Sequence, residues 1–251
     1  MVTARNAFTI AAGLELGAKN RYTNILPFDS NRVRLSGASD YINASFVSYF
    51  SGPLYIATQG PLPATTADFW QMVWDHRVRV IVMLTREFDN GRAKCHRYWP
   101  QALGTTVVHG ALRVEYQAEA RHPDDTAIVA RRLRLSRIDL PDDTIIVTQL
   151  QYETWPDHGA PDAPLGVLRL RELACIAQGD DELAKNVPMV VHCSAGCGRT
   201  GAFCAIDTIM AMDPKEFFRE DVVFIVVSRF RELRVSMVQT IQQFVFCHEA
   251  L

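Results

Sequence analysis

His192-Cys193-Ser194-Ala195-Gly196-Cys197-Gly198-Arg199-Thr200-Gly201 is the stretch that decides how this chain is built. The run Val187-Pro188-Met189-Val190-Val191 before it is short and apolar, and Ala202 to Met212 after it is rich in helix formers. Strand, tight loop and helix therefore follow one another. In such a loop the N–H groups of Ser194 to Arg199 can turn inward at a helix N-terminus and form a nest for an anion. A free thiol is only about 3% ionised at pH 7. Inward N–H groups and the helix dipole favour the thiolate, so Cys193 at the floor of a phosphate-sized nest reads as a nucleophile aimed at phosphorus. Arg199 supplies a planar fork that holds two phosphoryl oxygens at once, a geometry lysine cannot reproduce. Gly196 and Gly198 permit close backbone approach, and the Thr200 hydroxyl can cap the helix or donate to the thiolate. The loop lacks the Gly-Lys-Ser/Thr of a nucleotide-binding P-loop. His192, Cys193 and Cys197 lack the second ligand pair of a zinc site, so no metal is expected.

Upstream, Thr154-Trp155-Pro156-Asp157-His158-Gly159-Ala160-Pro161 lies between a strand-like run, Thr144 to Gln151, and a helical segment from Pro164 to Ala177. Prolines and a glycine around one carboxylate describe a loop that can carry an acid to a site. Cleaving a phosphate ester of a phenol needs a proton on the leaving oxygen, which Asp157 is placed to give. The plainer reading, a carboxylate capping the next turn, loses ground beside the Cys193 loop.

The rest of the pattern is α+β. A helix is expected over 64–76, opened by Thr65 or Thr66, and a buried strand over 78–84. Segments 107–117, 128–136 and 145–151 alternate as antiparallel strands do. Helices follow over 200–212, 222–233 and 240–250. The run Arg131-Arg132-Leu133-Arg134-Leu135-Ser136-Arg137 reads as a solvated strand face rather than a docking patch.

With these motifs in order, the chain resembles the catalytic domain of the phosphotyrosine-specific, cysteine-dependent protein tyrosine phosphatases. The likeness runs from 19 to 246 through KNRYTNILPFD (19–29), DYINASF (40–46), YIATQGPL (55–62), KCHRYWP (94–100), TWPDHG (154–159), the cysteine loop and MVQTIQQFVF (237–246). It implies a single domain over 1–251, with a highly twisted mixed β-sheet flanked by α-helices and the phosphate-binding loop between a strand and a helix. It also implies hydrolysis of phosphotyrosine in proteins through a phosphocysteine intermediate on Cys193. By the same resemblance Asp157 acts as general acid and then base, while Arg199 and the amides of Ser194, Ala195, Gly196, Cys197 and Gly198 bind phosphate. Thr200 stabilises the departing thiolate, and His192 orients and acidifies the cysteine. Gln239, assisted by Gln243, positions the attacking water. Tyr22 walls the pocket, Trp155 anchors the moving loop, and Lys94 meets the acid when that loop closes.

Departures from the pattern are local. Asn24 stands where several members carry an aspartate that holds the substrate backbone, which implies weaker peptide anchoring. Leu233 and Ser236 replace a common glutamine and glycine. The stretch before Lys19 matches poorly, which puts the family's N-terminal helices in doubt. Cys197 takes the place of an aliphatic residue; it is either a packing residue or a partner that could trap an oxidised Cys193 as a disulfide. Dual-specificity or phosphoinositide phosphatases share the cysteine loop, but here Ser194, Ala195 and Cys197 are neutral and Tyr22 is present. An inactive phosphotyrosine-binding module would be expected to lose Asp157, Arg199 or Gln239.

Composition agrees. The 251 residues are 48% hydrophobic, enough for one substantial core, and the formal net charge of -2 gives no field that points to nucleic acid. Six cysteines show no disulfide-framework spacing, no stretch resembles a membrane span or a signal peptide, and a thiolate nucleophile needs reducing surroundings. The expectation is a cytoplasmic monomer acting on phosphotyrosine proteins, with no cofactor.

Overall fold

The computed structural model describes residues 8–37, 39–50, 52–157, 159–181, 186–213, 215 and 221–251. His158 and the first seven residues of the chain fall outside them. Five strands build the catalytic half of one sheet: β1 (Arg32–Arg34), β2 (Tyr41–Val47), β3 (Tyr55–Thr58), β4 (Val80–Met83) and β11 (Met189–His192). The other half is a meander of β7 (Thr106–His109), β8 (Leu112–His122), β9 (Asp125–Arg137) and β10 (Thr144–Tyr152). The order is β1-β2-β3-β11-β4-β10-β9-β8-β7, and a separate hairpin pairs β5 (Phe88–Asp89) with β6 (Arg92–Ala93). The sheet is mixed: β11 runs parallel to β3 and β4, and β4 parallel to β10, while the remaining pairs are antiparallel.

Two apolar layers cover the faces. On one side α2 (Thr66–Asp75) packs Phe69, Trp70, Met72 and Val73 against Ile56, Ile81, Met83 and Val190. On the other, α3 (Leu165–Gln178), α4 (Gly198–Met210), α5 (Val222–Leu233) and α6 (Ile241–Glu249) bury Val80, Val82, Met189 and Val191. Successive side chains of a strand face opposite ways. Continued past Val191, that alternation sends His192 toward the α2 layer and Cys193 toward the α4 layer.

Expected and observed elements agree closely in the helices. Helix α5 covers the expected span, capped by Asp221, whose Oδ1 accepts the Phe224 N–H at 3.0 Å. Helix α6 begins after Thr240 in a capping box with Gln243. Four details differ. The segment expected as one strand over 107–117 is two, because Gly110 takes φ +60° and turns the chain between β7 and β8. The Thr65 hydroxyl accepts the Leu62 N–H at 2.9 Å, serving a 3-10 turn that leads into α2 instead of capping it. Before Lys19 stands a short helix, α1 (Ala11–Glu15), whose first N–H groups at Ala11 and Ala12 are received by the remote carboxylate of Asp29. Last, Arg131 is not on a solvated face. Period two places it with Leu133 and Leu135, and it is buried, while Arg132 is exposed.

Trp70 ties α2 to the site. It is fully buried, and its indole N–H donates to the Tyr98 carbonyl at 2.7 Å. Trp70→Phe removes this hydrogen bond and leaves a cavity where the second ring of the indole packed, at about 3 kcal/mol. Chemical denaturation should show a lower midpoint with an unchanged slope.

Candidate active site

The loop after β11 is held from outside. The Ser194 carbonyl accepts from Gly60 N–H at 2.9 Å, and the Cys197 carbonyl from Gly201 N–H at 2.7 Å. Arg234 donates through Nε to the Gly196 carbonyl at 2.6 Å and through Nη2 to the Ala195 carbonyl at 3.1 Å. With the carbonyls turned outward, the N–H groups face the centre, and that of Gly196 lies 3.3 Å from Cys193 Sγ. Gly196 is obligatory: its φ is +72°, and a Cβ there would meet the Thr58 carbonyl oxygen at 2.1 Å.

Burial on its own pushes thiols up in this protein: Cys197 and Cys247 rise to about 12 and Cys95 rises further. Cys193 is buried as well, yet its thiol falls below the ordinary range. The Arg199 charge, the hydroxyl and N–H of Thr200 and the N–H of Cys197 together outweigh desolvation. Among the described residues the buried Thr200 hydroxyl has no hydrogen-bond partner of its own, which leaves its proton available to the sulfur. His192 is fully buried, and burial lowers it to about 4, so it is neutral at physiological pH. Its Nδ1 lies 3.1 Å from the Cys193 carbonyl and its Nε2 2.9 Å from the Tyr98 hydroxyl.

Asp157 sits over the loop. Its Oδ1 accepts from Arg199 Nη2 at 2.5 Å, and its Oδ2 is paired with Lys94 Nζ. Burial alone would raise this carboxyl, but the Lys94 and Arg199 contacts outweigh it and hold it below the usual range. Arg199 Nη1 is fixed by the Leu84 carbonyl at 3.0 Å. Trp155, stacked edge-on against Phe246 at 5.5 Å, donates to the Gly159 carbonyl at 3.1 Å and so pins both ends of the loop. Gln243 joins this loop to the next: Oε1 accepts the Gln239 N–H at 2.8 Å, and Nε2 donates to the Gly159 carbonyl at 3.4 Å.

One cleft of about 170 Å³ is lined by Tyr22, Asn24, Asp157, Cys193, Ser194, Ala195, Cys197, Gly198, Arg199, Gln239 and Gln243. Lys94, His192, Gly196 and Thr200 stand behind its walls, so the sequence-derived set converges on one place. Tyr22 reaches it because Arg21 is clamped, through Nε to the Gly60 carbonyl at 2.9 Å and Nη2 to the Pro61 carbonyl at 2.7 Å. The Tyr22 hydroxyl then lies 2.8 Å from Ser194 Oγ. Ile25 completes the wall, and neither it nor Arg234 was anticipated. Both lie inside quoted or adjoining motifs but carry no catalytic chemistry of their own, so residue type alone did not mark them.

A family model described as protein-tyrosine phosphatase matches residues 17–251. The chain belongs to the protein-tyrosine phosphatase family. It is 40% identical over 240 residues to tyrosine-protein phosphatase non-receptor type 18 of Homo sapiens, covering 93% of this chain and 50% of that protein. It is 38% identical over 240 residues to the phosphatidylinositol phosphatase PTPRQ of Rattus norvegicus, covering 93% of this chain and 10% of that one. The chain thus spans between a tenth and a half of these relatives' lengths. The solved structure of PTPN18 in complex with HER2-pY1196 phosphopeptides superposes with a TM-score of 0.88 at 38% identity, covering 98% of this chain and 85% of that one.

The thiols give a direct check on this phosphatase-family site. At neutral pH iodoacetamide should alkylate Cys193 first, leaving the buried Cys95, Cys197, Cys204 and Cys247 unmodified and reaching the half-buried Cys175, whose thiol is pushed up to about 11, only slowly, as read by peptide mapping. Thr200→Val should slow that reaction several-fold by removing one charge-assisted hydrogen bond to the thiolate.

Proposed function

We propose that the chain hydrolyses phosphotyrosine in proteins through a phosphocysteine intermediate. The observation that carries this reading is the stacking of two groups about one cleft: an acidified, amide-ringed Cys193 below and a loop carboxyl, Asp157, above. Arg199 touches the second and faces the first.

The Cys193 thiolate attacks phosphorus while the P–O bond to the tyrosine breaks and Asp157 gives its proton to the leaving oxygen. Arg199 and the loop amides hold the equatorial oxygens, where the transition state spreads its charge. The contacts to Lys94 and Arg199 hold Asp157 ionised. A phosphate dianion on Arg199 takes up that charge, and the carboxyl then recovers the proton it must donate. In the second step water, placed by Gln239, attacks phosphorus; Asp157 takes its proton, and the S–P bond breaks to restore the thiolate under Thr200. Gln243 serves by holding the Gln239 backbone. Neither step calls on a metal or an organic cofactor.

Tyr22 and Ile25 wall the cleft, so its floor suits a phenyl phosphate and not the shorter phosphoserine. The phosphopeptides in the PTPN18 structure support a protein substrate. The name of the PTPRQ relative raises a lipid substrate, against which stand the neutral Ser194, Ala195 and Cys197 within the loop. A thiolate nucleophile needs reducing surroundings, which favours the cytoplasm, and we take the unit to act as a monomer. Among the described residues no helix is long and apolar enough to cross a membrane.

Phosphate release should be measured on a phosphotyrosine peptide, its phosphoserine counterpart and phosphoinositide vesicles, with Cys193→Ser as control. Release from the first alone, lost in the control, is expected; comparable release from vesicles would overturn the substrate assignment. Asp157→Asn should lower kcat on phosphotyrosine by about 10²–10⁴-fold. It should spare an ester of a strongly acidic phenol, which leaves without a proton.

A further inference from the structure

Behind the catalytic loop, on the face where Arg131 is buried, runs a chain of polar side chains that the chemistry above does not use. Strands β9 and β10 pair Arg131 directly with Gln149. Arg131 Nη1 donates to Gln149 Oε1 at 3.0 Å and to Gln151 Oε1 at 2.8 Å, while Nε donates to Glu119 Oε2 at 2.8 Å. Its guanidinium lies 4.7 Å from the centre of the Trp99 ring. Gln149 Nε2 donates to the Tyr98 hydroxyl oxygen at 2.7 Å, and that oxygen lies 2.9 Å from His192 Nε2.

We propose that Arg131 and Gln149 are positioning residues that fix which ring nitrogen of His192 carries the proton, and through it the set of the Cys193 peptide. The proposal rests on Cys193 being the nucleophile.

Directionality decides the matter. A guanidinium has donors and no acceptor, so the Gln149 oxygen must face Arg131 and its NH₂ must face Tyr98. The Tyr98 oxygen therefore receives a proton from Gln149 and has its own left to give. Its neighbours are His192 Nε2 and, at 3.9 Å, the weakly accepting sulfur of Met83. The proton goes to Nε2, which must then be bare. Burial keeps Tyr98 a neutral phenol and His192 neutral, so the single ring proton sits on Nδ1, where the Cys193 carbonyl can accept it. Each donor in the series leaves its neighbour one role only, from β9 to the peptide of the nucleophile. Gln151 is oriented in the same way, and its Nε2 donates to the Thr85 carbonyl at 3.0 Å, one residue past the Leu84 carbonyl that fixes Arg199.

Gln149→Glu tests this at nearly constant size. A carboxylate there still accepts from Arg131, but it has no N–H and takes the Tyr98 proton instead. The Tyr98 oxygen then confronts Nε2 with a lone pair. Because burial opposes a second charge on the ring, His192 moves its proton to Nε2 and faces the Cys193 carbonyl unprotonated. Two-dimensional ¹H–¹⁵N spectra of the imidazoles at neutral pH should show Nδ1 protonated and Nε2 bare in the wild type, and Nε2 protonated in the variant. The lost hydrogen bond should lower kcat/KM on a phosphotyrosine peptide about tenfold. Gln149→Met removes the N–H that forces the Tyr98 hydroxyl toward Nε2 without supplying an acceptor in its place, so protonated Nε2 should appear as a minor second population, and less activity should be lost than in the glutamate even at equal loss of stability. A protonated Nε2 in the wild type, a bare Nε2 in Gln149→Glu, or equal losses of activity in the two variants would overturn the proposal. If Gln149→Glu fails to fold, the wild-type spectrum and Gln149→Met still decide. Retained turnover with an altered imidazole pattern would sink only the link to catalysis, whereas absence of turnover in the wild type would sink the functional reading on which it rests.

Discussion

A peptide group carries its donor and its acceptor on opposite sides, so a ring of inward N–H groups exists only if every matching carbonyl is held outside. That constraint organises the protein around residues 193–197. His192 takes the Cys193 carbonyl, Gly60 that of Ser194, Arg234 those of Ala195 and Gly196, and Gly201 that of Cys197. Arg234 is the unusual member. It is fully buried, its other contacts are Ser45 Oγ at 3.1 Å and Asn43 Oδ1 at 2.7 Å, and among the described residues no carboxylate pairs with it. A buried cation is costly unless polar groups surround it. Here loop carbonyls and an amide oxygen supply that shell, and the positive charge lies where an anion and a thiolate must be tolerated.

Because Arg234 directly follows α5, the packing of Val223, Val226, Val227 and Phe230 sets how deep the guanidinium reaches. The loop's shape is thus decided by a helix that begins about twenty residues after its last member. The opposite face contributes through a different geometry. Alternation along β11 places His192 among Phe69 and Tyr98, so the α2 layer acts on the nucleophile from behind while the α4 layer carries its helix dipole.

How much of this was readable in advance follows from how local each signal is. Cys193, Arg199 and the glycine requirement were legible because their chemistry depends on a few adjacent residues, and α5 and α6 because Asp221 and Thr240 cap them in sequence. The Gly110 turn was missed because the alternating pattern continues across it. Helix α1 leaves no local signal because its cap, Asp29, lies well downstream. Arg131 reads as exposed in sequence because arginine rarely occupies an inward position of a strand, and the partners that make it tolerable, Gln149, Gln151 and Glu119, come from two neighbouring strands. Long-range polar pairing leaves no periodic trace, whereas apolar burial does.

The placement of β11 also divides the site by stiffness. This strand lies between β3 and β4, hydrogen-bonded on both sides and covered on both faces, so Cys193 can be displaced only when the core itself opens. Asp157 depends on a half-exposed loop whose contacts among the described residues include two cations, an indole N–H and a glutamine. The nucleophile therefore shares the lifetime of the whole fold, while the acid answers to a local equilibrium. Sequence change or a bound partner near 154–160 could retune turnover across a wide range without bringing the protein nearer to unfolding.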